Sequence, residues 1–316
     1  MTARAHHFVP KCYLGNFVTA EKITVVDLQR ARHFVTNPKN VAQERDFNRI
    51  DSDTLAPDAL EQAYGEFESD LAPILRIAAH SPAELTEDQL AHILNLIALL
   101  AIRNPRTRGN FSEFQNELRQ GMLDLASSSE ERWQVQMKKM REAGYLDGIK
   151  EVPYSVIRKS IIERNFKFVT STTEHAKLEI NTFKTLLEMI FDRSWRFLRA
   201  ANGSHGFITS DHPVILFFEN RPKMARAPIG FGLRGTVVLF PISPGIALEG
   251  RFDGPTGAIT LDPFDVGDFN ARVLNSAHRQ IYAANDKFMF FDGRDFHGIQ
   301  QLIQRLKDRP VARRAD

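Results

Sequence analysis

Gly206-Phe207-Ile208-Thr209-Ser210-Asp211-His212-Pro213-Val214-Ile215-Leu216-Phe217-Phe218 is the stretch at which the chain changes its pattern. Upstream of it, apolar residues recur at three- and four-residue steps, the signature of amphipathic helices. From it onward they come in short β-branched and aromatic runs, punctuated by Gly and Pro. Gly206–Thr209, Val214–Phe218, Thr236–Phe240 and Ile246–Glu249 read as strands. The segment Arg221–Arg234, rich in Pro, Gly and Arg, reads as a mobile surface loop. A helix over Val266–Ala284, a strand over Lys287–Phe291 and a helix over Asp295–Lys307 complete this half. A basic tail follows, with Arg305, Lys307, Arg309, Arg313 and Arg314.

On the upstream side, Thr173–Ala201 reads as one long helix. Its buried stripe is Leu178, Phe183, Leu186, Leu187, Ile190, Trp195 and Leu198, and Asn202-Gly203 stops it. Asp58–Ala79 has the same period, with Pro73 expected to kink or divide it. Thr86-Glu87-Asp88-Gln89 is a capping box opening a helix toward Arg103, where Asn104-Pro105 breaks or bends it. Phe111–Leu125 continues as helix. Another follows the serine- and acid-rich link 127–131 and runs through Met140, with Gly144 as its C-cap. Tyr154–Glu163 is weakly helical. Nearer the start, Lys22–Leu28 and Arg32–Thr36 read as paired strands.

These elements predict an α+β fold: a helical N-terminal half packed with a mainly antiparallel sheet and C-terminal helices. The expectation is a single domain over 1–316. It has a helical region at about 57–201 and a sheet-forming region at about 205–306, joined by strands 22–36.

The 316 residues carry 41 basic and 39 acidic side chains, too balanced for bulk charge to announce a nucleic-acid binder. Phe is abundant at 24 and implies an aromatic core. The lone Cys12 excludes an intramolecular disulfide and a multi-Cys zinc site, and its apolar setting reads as a small buried hydrophobe. The apolar run near Ile93–Ile102 is too short to span a bilayer, and the first residues lack a signal-peptide core. The expectation is a cytoplasmic protein with no membrane partner.

The N-terminus His6-His7-Phe8-Val9-Pro10-Lys11-Cys12-Tyr13-Leu14-Gly15-Asn16-Phe17 carries enough apolar residues to be docked rather than frayed. Adjacent histidines on extended chain point to opposite faces, and His7 is taken as the inward one. Histidine titrates near neutrality and is the commonest metal ligand, so His7 is read either as functional or as a buried histidine bonded to backbone.

Three further constellations stand out. In Ser210-Asp211-His212-Pro213, Ser210 and Asp211 suit a turn that bonds backbone N–H groups. Asp211 alternatively serves as metal ligand or general base beside His212. Arg103-Asn104-Pro105-Arg106-Thr107-Arg108 clusters three guanidinium groups at a helix break. They read either as a phosphate or carboxylate clamp or as a solvated helix end. Glu61, Glu66, Glu68 and Asp70 ride one helix, with Glu61 and Glu68 on one face and Glu68 at the edge of the core. No Walker loop, Gly-x-Gly-x-x-Gly, His-Glu-x-x-His or Gly-x-Ser-x-Gly elbow is present.

The series His7-x-x-Pro10-x-x-Tyr13-Leu14-x-x-Phe17, Asn40-Val41-Ala42, Asp46-Phe47, Ser210-Asp211-His212-Pro213-Val214, Phe240-Pro241-Ile242-Ser243-Pro244 and Asn270 to Tyr282 resembles the bacterial and fungal domain-of-unknown-function family 4238. Asn48 departs from it, standing where the resemblance implies an aromatic. The resemblance implies no established activity. It does imply that His7, Asp211 and Asn270, distant in sequence, share one pocket.

The expected function is a hydrolase, in its concrete form a metal-dependent phosphodiesterase or nuclease of a bacterial defence or toxin setting. His7, Asp211, His212 and Asn270 are the expected catalytic residues. Arg103, Arg106 and Ser210 would bind substrate, and His7 with Asp211 would hold a divalent metal. The alternative is a non-catalytic module that binds nucleic acid or an acidic protein through its basic segments, with architectural histidine and Ser-Asp-His-Pro motifs.

Overall fold

The computed structural model describes residues 5–220 and 228–308. Residues 221–227 of the expected basic loop, and Arg309, Arg313 and Arg314 of the tail, lie outside the described residues.

The helices are α1 (Lys11–Leu14), α2 (Ala59–His80), α3 (Glu87–Ile102), α4 (Pro105–Ala126), α5 (Glu130–Glu142), α6 (Tyr154–Ile162), α7 (Thr172–Phe191), α8 (Pro263–Ser276) and α9 (Ile299–Asp308). The strands are β1 (Ala5–His7), β2 (Ile23–Asp27), β3 (Arg32–Thr36), β4 (Gln43–Arg45), β5 (Ser194–Ala200), β6 (Thr209–Ser210) and β7 (Ile215–Phe218). After them come β8 (Thr236–Ser243), β9 (Ile246–Arg251), β10 (Gly257–Leu261), β11 (Gln280–Ala283), β12 (Phe290–Phe291) and β13 (Phe296–His297). The fold class is α+β, as the change of pattern at 206–218 implies.

One sheet runs in the order β10-β5-β9-β8-β7 and a second in the order β3-β2-β11-β6. Every pairing is antiparallel except β10 with β5. Alternation along β8 builds two cores. Val238, Phe240 and Ile242 pack with Leu71, Leu75, Ile93 and Ile97 of the helical layer. Val237 and Leu239 pack on the other side with Phe269 and Val273 of α8 and with Ile281 of β11.

The N-terminus is docked by its apolar residues. Phe8, Val9, Tyr13, Leu14 and Phe17 are all buried. The Tyr13 ring stacks on Phe240 at 5.1 Å between centroids, and its hydroxyl donates to the Pro241 carbonyl at 2.7 Å. Asn16 ties the same segment to the Leu75 and Ile242 carbonyls.

Five expectations about individual elements are corrected. The helix expected over Thr173–Ala201 ends at Phe191, and Ser194–Ala200 is strand β5. Trp195 and Leu198 mimic a helical stripe, but the Trp195 indole N–H turns back onto the Ile190 carbonyl. Arg193, buried at the break, donates to the carbonyls of Phe231, Thr236 and Gly250. These bonds tie the chain to the sheet where a helix would have continued. Likewise the helix expected to reach Ala284 stops at Ser276, and Gln280–Ala283 becomes the inner strand β11 between β2 and β6. Pro73 does not divide α2, because Leu71, Ile74, Leu75 and Ala78 are buried on both sides of it. The strand expected over 287–291 shortens to β12, and the last helix begins at Ile299 rather than Asp295.

Candidate active site

At the end of α3 the chain turns sharply. Asn104 accepts from the Thr107 N–H at 2.9 Å and donates back to the Leu100 and Ala101 carbonyls. The amide thereby caps α4 and closes α3 at once. Pro105 takes the first position of α4, where no N–H is needed. The three arginines of this break go to three different places.

Arg108 is buried and paired bidentately with Glu179 of α7, at 2.6 and 2.9 Å. It also lies over the Phe47 ring at 3.5 Å. Arg106 is exposed and donates to the Ser276 carbonyl. Arg103 is fully buried, at 0% exposure. The solvated-end reading of this cluster therefore holds for Arg106 alone. Arg103 Nη1 donates to the His7 carbonyl and to Asn48 Oδ1, both at 3.2 Å, and its guanidinium lies over the Tyr64 ring at 4.1 Å. Its Nε and Nη2 have no hydrogen-bond partner among the described residues. Unpartnered nitrogens on a buried cation are costly.

The groups around Arg103 come from three stretches of sequence. Strand β1 pairs with β4 in the register His6↔Glu44. His6 is the buried histidine, at 3% exposure, while His7 is half-buried. This corrects the choice of His7 as the inward residue. His6 Nδ1 accepts from the Asn48 N–H at 2.9 Å, so its ring belongs to the turn after β4. His7 nonetheless feels Lys11, Glu61, the Val41 backbone and Arg103, and its buried Nδ1 has no hydrogen-bond partner among the described residues. Burial lowers its pKa to about 4, assisted by Lys11 and Arg103, so the ring is neutral at neutral pH.

Asn48 joins the network through both ends of its amide, accepting from Arg103 and donating to Glu61 Oε2 at 2.6 Å. An aromatic at this position would leave Arg103 and Glu61 without that bridge. Glu68 faces the same place, and burial raises its carboxyl above the ordinary range, although Arg103 and Lys11 pull the other way. Burial pushes the Cys12 thiol up to about 12, with the Glu68 charge adding to the effect. That makes it a poor nucleophile.

The Ser-Asp-His-Pro turn forms a different kind of site. Asp211 Oδ1 accepts from the His278 N–H at 2.9 Å, and Oδ2 accepts from the N–H groups of Arg279 and Gln280 at 2.7 and 3.1 Å. The carboxylate starts strand β11. Burial raises its pKa, and the three N–H bonds oppose that. Ser210 Oγ accepts from the His212 N–H. His212 Nδ1 lies 2.9 Å from Ser276 Oγ, and burial together with Arg106 lowers its pKa to about 4. Asn270 is fully buried and saturated, accepting from Ile208 N–H and donating to the Gly206 and Met289 carbonyls.

The expected residues thus fall into two groups and a staple. His7 and Arg103 meet Glu61 and Glu68. Arg106, Ser210, Asp211 and His212 meet Ser276 and His278. Asn270 holds three backbone segments together. Arg279 bridges the groups, pairing with Glu44 of β4. His7 and Asp211 do not fit a shared divalent ion, since the Asp211 oxygens are occupied by backbone. Among the described residues no group of three or more His, Cys, Asp or Glu side chains is placed to hold a metal. Sequence reasoning missed Asn48, Ser276 and His278. Only Asn48 left a trace, as the departure from an aromatic. Among the described residues, no helix is long and apolar enough to cross a membrane.

The class defined by this geometry is an α+β protein whose docked N-terminal strand, paired with β4, lies against a buried arginine at a helix break. Residues 5–287 match the model of a protein family of unknown function, DUF4238, and the chain belongs to that family. No curated protein and no solved structure matches it. The family-like motif residues have structural partners: Tyr13 reaches Phe240-Pro241, and Phe47 lies under Arg108.

Proposed function

We propose that the His7–Arg103–Glu68 cluster is the active site of a hydrolase acting on an anionic ester, a phosphodiester in its natural form. The observation that carries the reading is the fully buried Arg103 with Nε and Nη2 unpartnered. A guanidinium fork suits the non-bridging oxygens of a phosphoryl group. Around it stand two titratable groups pushed apart by their surroundings, Glu68 upward and His7 downward.

In this reading Arg103 holds the anionic group and Lys11, at the exposed rim, attracts it. Neutral His7 Nδ1 orients the attacking water. Glu68 takes the proton of that water as it adds to phosphorus, the ester P–O bond breaks, and the proton passes to the leaving alkoxide. No step is routed through a metal.

The test is hydrolysis of bis(p-nitrophenyl) phosphate by the full chain across pH. The rate should rise through a pKa above the ordinary carboxylate range. Glu68→Gln should lower it by about a hundredfold or more and flatten that limb. Absence of turnover in the wild type, or an unchanged rate in Glu68→Gln, overturns the reading.

A further inference from the structure

A cavity of ≈ 370 Å³ opens between α2, α3 and α7, next to the proposed active site. Leu60, Ala63 and Phe67 of α2 face Leu99 and Ile102 of α3 and Ile180 and Phe183 of α7 across it. Tyr64 belongs to both places: its ring lines the cavity and lies under the Arg103 guanidinium. The charged wall residue, Glu179, is neutralised by its bidentate bond to Arg108. Two polar groups remain uncommitted. The Tyr64 hydroxyl makes no hydrogen bond to the described protein, and the Asn95 amide is engaged only through its N–H, with the Ala91 carbonyl. Ile180 is 58% exposed although aliphatic.

We infer that this cavity binds the apolar arm of an amphiphilic substrate, an acyl or alkyl chain whose polar end lies toward Tyr64 and Arg103. Ligand sites are concave and mostly apolar, with a few placed polar groups, and this cavity has that make-up and size. The walls offer aliphatic groups and the rings of Tyr64, Phe67 and Phe183, with one hydroxyl and one amide oxygen uncommitted, too few polar atoms to read the edge of a nucleobase. Helix α2 supports the pairing of the two places. Leu60, Ala63, Tyr64 and Phe67 line the cavity, while Glu61 and Glu68 of the same helix serve the Arg103 cluster. The inference deepens the hydrolase reading by giving its ester a lipid-like arm, and it rests on that reading for the placement of the polar end.

The test is titration calorimetry of the full chain with dodecanoate, butyrate and adenosine monophosphate, which reads binding without turnover. Dodecanoate should bind at least about a hundredfold more tightly than butyrate, because each buried methylene adds affinity. Its heat-capacity change should be negative. Ala63→Trp and Ile180→Trp, which narrow the cavity from opposite walls at exposed helix positions, should each weaken dodecanoate by about tenfold or more. Melting temperatures report whether each variant is folded. Equal binding of dodecanoate and butyrate, wild-type affinity in a folded Trp variant, or adenosine monophosphate displacing dodecanoate overturns the inference. Tight dodecanoate binding in a protein that hydrolyses no ester would keep the cavity and remove only the hydrolase reading.

Discussion

The two histidine-bearing regions of this chain resemble each other in sequence and differ in what their polar atoms do. Each sets a histidine within three residues of a proline and places an arginine from the α3–α4 break nearby. At the Ser-Asp-His-Pro turn the polar atoms are saturated: Asp211 accepts three backbone N–H bonds, and Ser210 accepts one. At the N-terminal strand they are not. His7 Nδ1 and Arg103 Nε and Nη2 are buried without partners. A buried polar group without a partner lowers stability and is left with bonding capacity for a ligand, whereas a saturated one is explained by the fold. The same residue types therefore form a saturated turn in one place and leave buried polar atoms unpartnered in the other.

That contrast breaks most visibly at Asp211. Asp211→Ala leaves three backbone N–H groups facing a void at the start of an inner strand. The expected cost is about 3 kcal/mol of unfolding free energy, measured in urea. A loss below about 1 kcal/mol would show that the turn does not hold β11.

Acid sharpens the contrast. His7, His175 and His212 each have a pKa lowered from 6.5 to about 4, with burial the largest cause. A depressed folded pKa means that unfolding takes up protons. The stability these groups contribute is complete above pH 6.5 and is lost as pH falls toward 4. Urea unfolding between pH 7 and pH 4.5 should show this decline. His212→Asn should shallow the slope, and a pH-independent midpoint would contradict the burial of these rings as neutral groups.

The smallest expected effect is at Arg103. Arg103→Lys keeps the charge but not the planar fork. It should raise KM for bis(p-nitrophenyl) phosphate by about tenfold and leave kcat closer to the wild-type value. An unchanged KM would mean that the unpartnered nitrogens do not meet the substrate.

Much of the fold is legible in the sequence because it is local. The capping box at Thr86–Gln89, the Asn104-Pro105 break and the paired strands β2 and β3 are written in neighbouring residues. What is not legible depends on distant partners. Ser194–Ala200 is a strand because Arg193 and Trp195 meet groups up to 57 residues away. The Trp195 ring also lies 2.7 Å from where a Cβ would stand on Gly250, a fit that only a glycine permits. Strand β10 runs parallel to β5 across a long stretch of chain, and no short motif announces it. The candidate site was legible in its parts, since His7, Arg103, Glu61 and Glu68 all stand out by type. Their assembly was not, because it runs through Asn48 and a cross-strand register. The pairing of His7 with Asp211 and Asn270 rests on motif order, and Asp211 and Asn270 are instead each held by their own backbone partners.

The most direct test sets Glu68→Gln beside Asp211→Asn, measuring the bis(p-nitrophenyl) phosphate rate per folded molecule and the melting temperature of each. Glu68→Gln should lose about a hundredfold in rate at an unchanged melting temperature, while Asp211→Asn melts lower and keeps its rate. The reverse, a folded but inactive Asp211→Asn beside a fully active Glu68→Gln, would place the chemistry at the Ser-Asp-His-Pro turn and contradict the account.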